Sequence, residues 1–137
     1  MKSSFSLIEV LVVATIIGVL LTGASVSYTS LTKSSRDAKR KSELEQVRAA
    51  LEMYRSNDTS SLYPVGVWAD LSTALTGYIG TLPTDPKDPT YTYGYDSTDG
   101  TSYTLGAHLE STTTTCTSLA SCAGGCNYCL GPYGQKQ

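Results

Sequence analysis

The sequence predicts an α+β protein: one long N-terminal helix, apolar and membrane-spanning in its first half and amphipathic in its second, packed on a small antiparallel β-sheet head. Three observations carry that expectation. Residues 7–21 are apolar except for Glu9 and Thr15. Residues 33–57 are rich in Ala, Glu, Lys, Arg, Leu and Gln, with neither Gly nor Pro. Beyond residue 58 the chain turns to Tyr, Thr, Ser and Gly, with recurrent turn signals.

The apolar run comes first. Residues 5–24 just suffice for a span of about 20 residues at 1.5 Å each. A cleaved secretory signal fits poorly, because only Lys2 precedes the run and an acid lies inside it. That acid is costly: a carboxylate at the centre of a membrane helix costs roughly 2.5 to 3.5 kcal/mol. Read alone, Glu9 is either paired or placed close enough to the membrane edge to reach water.

The helix is expected to continue to about residue 57. Leu44, Val47, Leu51 and Tyr54 recur at helical spacing and mark one apolar face. Glu45 and Glu52 precede Arg48 and Arg55 by three residues, a spacing at which opposite charges meet. The stretch "RDAKRK" reads as a solvated or subunit-contacting face, since acids are interleaved with its bases. Asn57, Asp58 and "TSS" end the helix.

In the head, Trp68, Leu71, Leu75 and Tyr78 fall at helical spacing and predict a short second helix with Trp68 as a core anchor. "LPTDPKDP" excludes both helix and central strand. "YTYGY" and "SYTLGAHL" alternate and predict a β-hairpin turned by "DSTDGT", with Tyr91, Tyr93, Tyr95, Tyr103, Leu105, Ala107 and Leu109 facing the helix. The same alternation puts His108 on the opposite, solvent-exposed face, not as a ligand. The tail carries Cys116, Cys122, Cys126 and Cys129. An even number in an exported domain favours two disulfides, with three pairings open. The competing reading is zinc at Cys126-x-x-Cys129, against which stand the C-x5-C partner spacing and a tail without histidine.

"FSLIEVLVV" resembles the processing site of type IV pilins and of the pseudopilins of type II secretion. The resemblance implies a leader, "MKSS", cleaved by a prepilin peptidase between Ser4 and Phe5, and N-methylation of Phe5. Glu9 becomes the fifth residue of the mature chain, and the resemblance makes it the subunit-assembly residue, facing the Phe5 amine of a neighbour. In low dielectric that attraction removes two costly charges together. Homo-oligomerisation into a helical filament, related minor pilins and a membrane assembly platform follow as implied partners. Two positions depart from the family's pattern: the leader ends in Ser4 where glycine is usual, and no proline stands near Val26. "TGASVSYTS" is where the helix is expected to loosen within a filament. The resemblance adds calcium as the one candidate cofactor. Asp85, Asp88, Asp96 and Asp99 supply hard oxygen donors, although their spacing matches no known loop and Asp beside Pro or Gly is ordinary turn chemistry.

The expected organisation is a leader at 1–4, a membrane and filament-core segment at 5–29, an amphipathic helix at 30–57, a globular head at 58–110 and a Cys-rich tail at 111–137. The expected function is a structural filament subunit. The alternatives are a membrane-anchored extracytoplasmic binding domain and, with less support, a metal or redox protein of the tail. No enzyme is expected, since no nucleophile, base or phosphate loop is recognisable. A net charge of −2 argues for no specific nucleic acid. Topology carries a conflict. Lys33, Arg36, Lys39, Arg40 and Lys41 follow the run and would hold the C-terminal part in the cytoplasm, whereas the cysteines point outside. The resemblance decides for a cytoplasmic N-terminus and an extracytoplasmic C-terminal domain.

Overall fold

The computed structural model describes residues 6–112, 116, 119 and 122–136; the side chains of residues 23–27 and 136 fall outside that description. Helix α1 (Leu7–Asn57) is followed by β1 (Gly66–Val67), α2 (Trp68–Ala74), β2 (Gly94–Ser97), β3 (Thr104–Ala107), β4 (Tyr128–Gly131) and β5 (Gly134–Lys136). The five strands form one antiparallel sheet in the order β1-β2-β3-β4-β5. The class is α+β, with an N-terminal helix and a small antiparallel sheet. The chain divides into two compact units, Met1–Ser35 and Arg36–Gln137.

In the first unit, the helix leaves its apolar side chains uncovered. Leu7, Ile8, Val10, Leu11, Val12, Val13, Ile16, Ile17, Val19, Leu20 and Leu21 are all exposed. The hydroxyls among them are satisfied within the helix: Thr15 Oγ1 donates to Val12 O at 2.8 Å and Thr22 Oγ1 to Val19 O at 2.7 Å. Among the described residues, no helix is long and apolar enough to cross a membrane. Residues 7–22 rise about 24 Å, short of the roughly 30 Å of hydrocarbon. In sequence the run meets no further charge until Lys33. The backbone of residues 22–30 is helical in the single chain.

In the second unit the core joins Leu44, Val47, Ala50 and Leu51 of α1 to Leu71 and Leu75, to Tyr103 just before β3, and to Tyr95, Leu105 and Leu130 of the sheet. Helical periodicity produces the first set and strand alternation the last, since Tyr95 pairs with Leu105 and Leu105 with Leu130 across three strands. Trp68 is half-buried and packs at 5.4 Å on Tyr93. Two carboxylates on α1 anchor the tyrosines: Glu43 accepts from the Tyr93 hydroxyl, and Glu52 accepts from Tyr63 at 3.0 Å. Among the described residues Arg55 makes no direct ion pair with Glu52. Its Nη1 donates instead to Tyr63 Oη at 3.0 Å, so Tyr63 stands between the two charges. Glu45 and Arg48 do pair, at 2.7 Å.

Burial pushes the Tyr93, Tyr95 and Tyr103 hydroxyls well above the ordinary tyrosine range, and the Glu43 and Glu52 charges add to the shift at Tyr93 and Tyr103. A raised folded pKa means that the stability these groups contribute is complete below the unfolded value of about 10 and drains away above it. The expected result is a head that holds at pH 9 and unfolds together with tyrosinate formation at higher pH. Tyrosinate absorbance and circular dichroism followed together check this, and tyrosines that all ionise near pH 10 in a folded head would contradict it.

Three expectations about the sheet are corrected. Strand β3 is buried on both faces, not one, because the cysteine-bearing tail covers the side opposite α1. A Cβ added at Gly106 would overlap Cys126 Sγ and approach Leu119 Cδ2 to 2.9 Å. Gly106→Ala should therefore destabilise the head by about 1 to 3 kcal/mol, the usual cost of overpacking; an unchanged urea midpoint would contradict it. His108 is half-buried rather than solvent-exposed, stacked on Tyr91 at 4.1 Å with Nδ1 2.8 Å from Gly125 O. The tail also supplies β4 and β5, joined across the Gly131↔Gly134 pair by Pro132 and Tyr133. The "GPYG" stretch, with a glycine at each end, is the turn signal for this hairpin.

Candidate assembly site and buried charge cluster

Glu9 sits in the first turn of α1, where the N–H of Glu9 reaches Ser6 O at 3.0 Å. The helix dipole favours an acid there by about 0.3 to 1 kcal/mol, less than its cost in hydrocarbon. Val13 and Ile17 follow it at i+4 and i+8, and with Val10 and Ala14 they form an apolar surface beside the exposed Glu9. Among the described residues no ion pair or side-chain hydrogen bond reaches that carboxylate. Glu9 thus lies on an apolar helix surface without a cation from its own described chain. Ser4 and Phe5, the expected cleavage and methylation positions, lie outside the described residues.

The second constellation was not legible in the sequence. Arg40, read there as part of a solvated or subunit-contacting face, is wholly buried. Its Nε and Nη2 form a bidentate pair with Asp85 at 2.7 and 3.0 Å, and its Nη1 donates to Asp37 at 2.9 Å and Glu110 at 3.1 Å. Glu110 in turn receives both Nε and Nη2 of Arg36 at 2.7 Å, and Lys87 Nζ at 2.8 Å. Asp37 completes the ring by accepting the Glu110 and Ser111 N–H groups at 2.9 Å each. Three cations and three carboxylates balance, which is the condition under which buried charges persist. The correction has a simple cause. Positions 37 and 40 share the buried face with Leu44 and Val47, and the partners that admit charge there come from residues 85 and 110.

The Arg36 hydrogen bonds, ahead of burial acting the other way, hold the Glu110 carboxyl far below the usual range. Burial pushes the Asp37 carboxyl up, but the Glu110 and Ser111 N–H groups and Arg40 outweigh it and hold it low.

The four calcium candidates are not grouped together among the described residues. Both Asp85 oxygens are taken by Arg40, and one also accepts the Lys87 N–H at 2.8 Å. Asp99 closes its own turn by accepting the N–H and Oγ1 of Thr101. Asp96 is an exposed strand residue opposite Val67, and Asp88 precedes Pro89 on an exposed loop. Among the described residues no three His, Cys, Asp or Glu side chains are grouped to hold a metal ion. The cysteines are joined as Cys116–Cys129 and Cys122–Cys126, with Cα separations of 5.9 and 5.6 Å.

Residues 1–25 match the family described as the prokaryotic N-terminal methylation motif, the signature of type IV pilins and pseudopilins. Comparison with curated proteins found no match, and comparison with solved structures found none.

Proposed function

From a chain that carries this N-terminal methylation signature, we propose a structural, non-enzymatic subunit of a type IV pilus-like or type II secretion filament. The subunit first resides in the cytoplasmic membrane through residues 5–29, with the head on the extracytoplasmic side. The eleven exposed apolar side chains of residues 7–21 support this reading. At about 1.5 to 3 kcal/mol each, leaving them in water costs on the order of 20 kcal/mol, so lipid or other copies of the helix must cover them. Glu9 is the observation that carries the proposal. An acid flanked by apolar surface, reached by no cation among the described residues, fits a segment that finds one on a neighbour, the Phe5 amine exposed by leader cleavage. Prepilin peptidase, minor pilins and a membrane assembly platform are the partners this route needs.

Mass spectrometry of protein recovered from cells tests the route. Mature chains should begin at N-methylated Phe5; chains that begin at Met1, or after Ala24, would exclude it. Ser4→Gly should raise the cleaved fraction, and an unchanged or lower fraction would remove Ser4 as the limiting position.

A further inference from the structure

Asn127, the residue after Cys126, ties the disulfide-bearing tail to the charge cluster. Its N–H donates to Ala107 O at 3.1 Å. Its Oδ1 accepts from Leu109 N at 2.6 Å, and its Nδ2 donates to Leu109 O at 2.7 Å and Thr112 O at 3.0 Å. One amide side chain thereby supplies the pairing that β3 loses beyond Ala107. The next two N–H groups, of Glu110 and Ser111, go to Asp37 on α1. Residues 109–111 are gripped from both sides, by Asn127 and by Asp37.

The Cys122–Cys126 loop is moored at the same place. Gly125 O meets His108 Nδ1 at 2.8 Å, and Ala123 N donates to Thr92 Oγ1 at 3.0 Å. Gly124 lies against the Tyr91 ring, with the Arg40 guanidinium 5.7 Å from that ring's centroid. Among the described residues, the small core under this loop consists of Leu119 and the four cysteines. With the bridges opened, Leu119 is the one leucine among the described residues left to offset the ordering entropy of the loop, which is too little.

We infer that the two disulfides form a redox-controlled latch, in which Asn127 transmits closure of the tail to residues 109–111 and so to the Asp37–Arg40–Glu110 cluster. Oxidised, the tail presents Asn127 to Leu109 and completes the cluster; reduced, this end of the cluster loosens while the α1 core around Val47 and Leu51 stays intact. The inference rests on the filament reading only for where closure happens, since export places the thiols within reach of a disulfide-bearing oxidant. In closing, four thiols lose four electrons and four protons to form two S–S bonds, and two oxidant disulfides become four thiols.

The test is hydrogen–deuterium exchange on the full chain in detergent micelles, oxidised and after dithiothreitol, which delivers two electrons per bridge and ends as its cyclic disulfide. Reduction should accelerate the Leu109, Glu110 and Ser111 amides by about tenfold and leave those of Val47 and Leu51 protected. Asn127→Ala, with both bridges intact by alkylation, should reproduce that acceleration without reductant. Asn127→Asp, which keeps the acceptor for Leu109 N–H and loses both donors, should fall between. Acceleration confined to residues 122–129 would overturn the latch. So would a rise extending to Val47 and Leu51, or parent-like protection in Asn127→Ala. Exchange needs no filament, so failure to assemble would count against the filament reading and leave this measurement decisive.

Discussion

Glu9→Leu is expected to enter the membrane as well as the parent and to lose assembled filament by at least about tenfold, given that close charge pairs in interfaces couple by roughly 1.5 to 7 kcal/mol. Insertion should not suffer, because replacing a carboxylate by leucine makes the segment more apolar. Assembly should, because the Phe5 amine of the neighbour would then enter apolar surroundings with no partner, the expensive half of a broken buried pair. Glu9→Asp should be intermediate, with the charge kept and its reach shortened by one methylene. Filament sheared from cells, measured per membrane-inserted subunit, separates this from a plain anchor, which predicts no loss with leucine. Parent-like assembly of Glu9→Leu would remove the central support of the filament reading.

Arg40→Met is expected to cost the head about 3 to 5 kcal/mol, the range for removing one partner from a buried ion pair. Among the described residues Asp85 would then keep no cation at bonding distance, and Asp37 would keep only its hydrogen bonds from Glu110 and Ser111. The urea midpoint of the full chain in micelles, followed by the fluorescence of the single tryptophan, Trp68, reads the loss. A variant within about 1 kcal/mol of the parent would show that the cluster breaks even against apolar packing. The pH dependence provides a second readout. Asp37 and Glu110 are held below their unfolded values, about 3.9 and 4.3. Their contribution is therefore complete above those values and is lost as pH falls through the lower folded ones. The parent should weaken progressively below about pH 4. In Arg40→Met that acid limb should flatten, because one of the groups that holds the carboxyls low is gone.

What the sequence determined by itself is the part of the protein written at short range. The spacing of Leu44, Val47 and Leu51 sufficed to mark the buried face of α1, since a helix repeats every 3.6 residues whatever lies against it. The alternation of Tyr103, Leu105 and Ala107 identified a strand, and the offset of Glu9 from Phe5 identified the N-terminal motif. The tertiary structure decided what those faces meet. Arg40 is 45 residues from Asp85 and 70 from Glu110, so its charge read as solvated until the fold placed two carboxylates beside it. His108 followed the strand alternation to the outer face, yet that face is covered, because Cys126 and Leu119 of the tail close over Gly106. The cysteine pairing likewise depended on β4 lying beside β3, which brings Cys129 opposite Gly106 and leaves Cys122 to reach Cys126. Periodicity is a property of a few successive residues, whereas the pairing of charges and thiols is settled by whichever distant segment the packed core brings within about 3 Å.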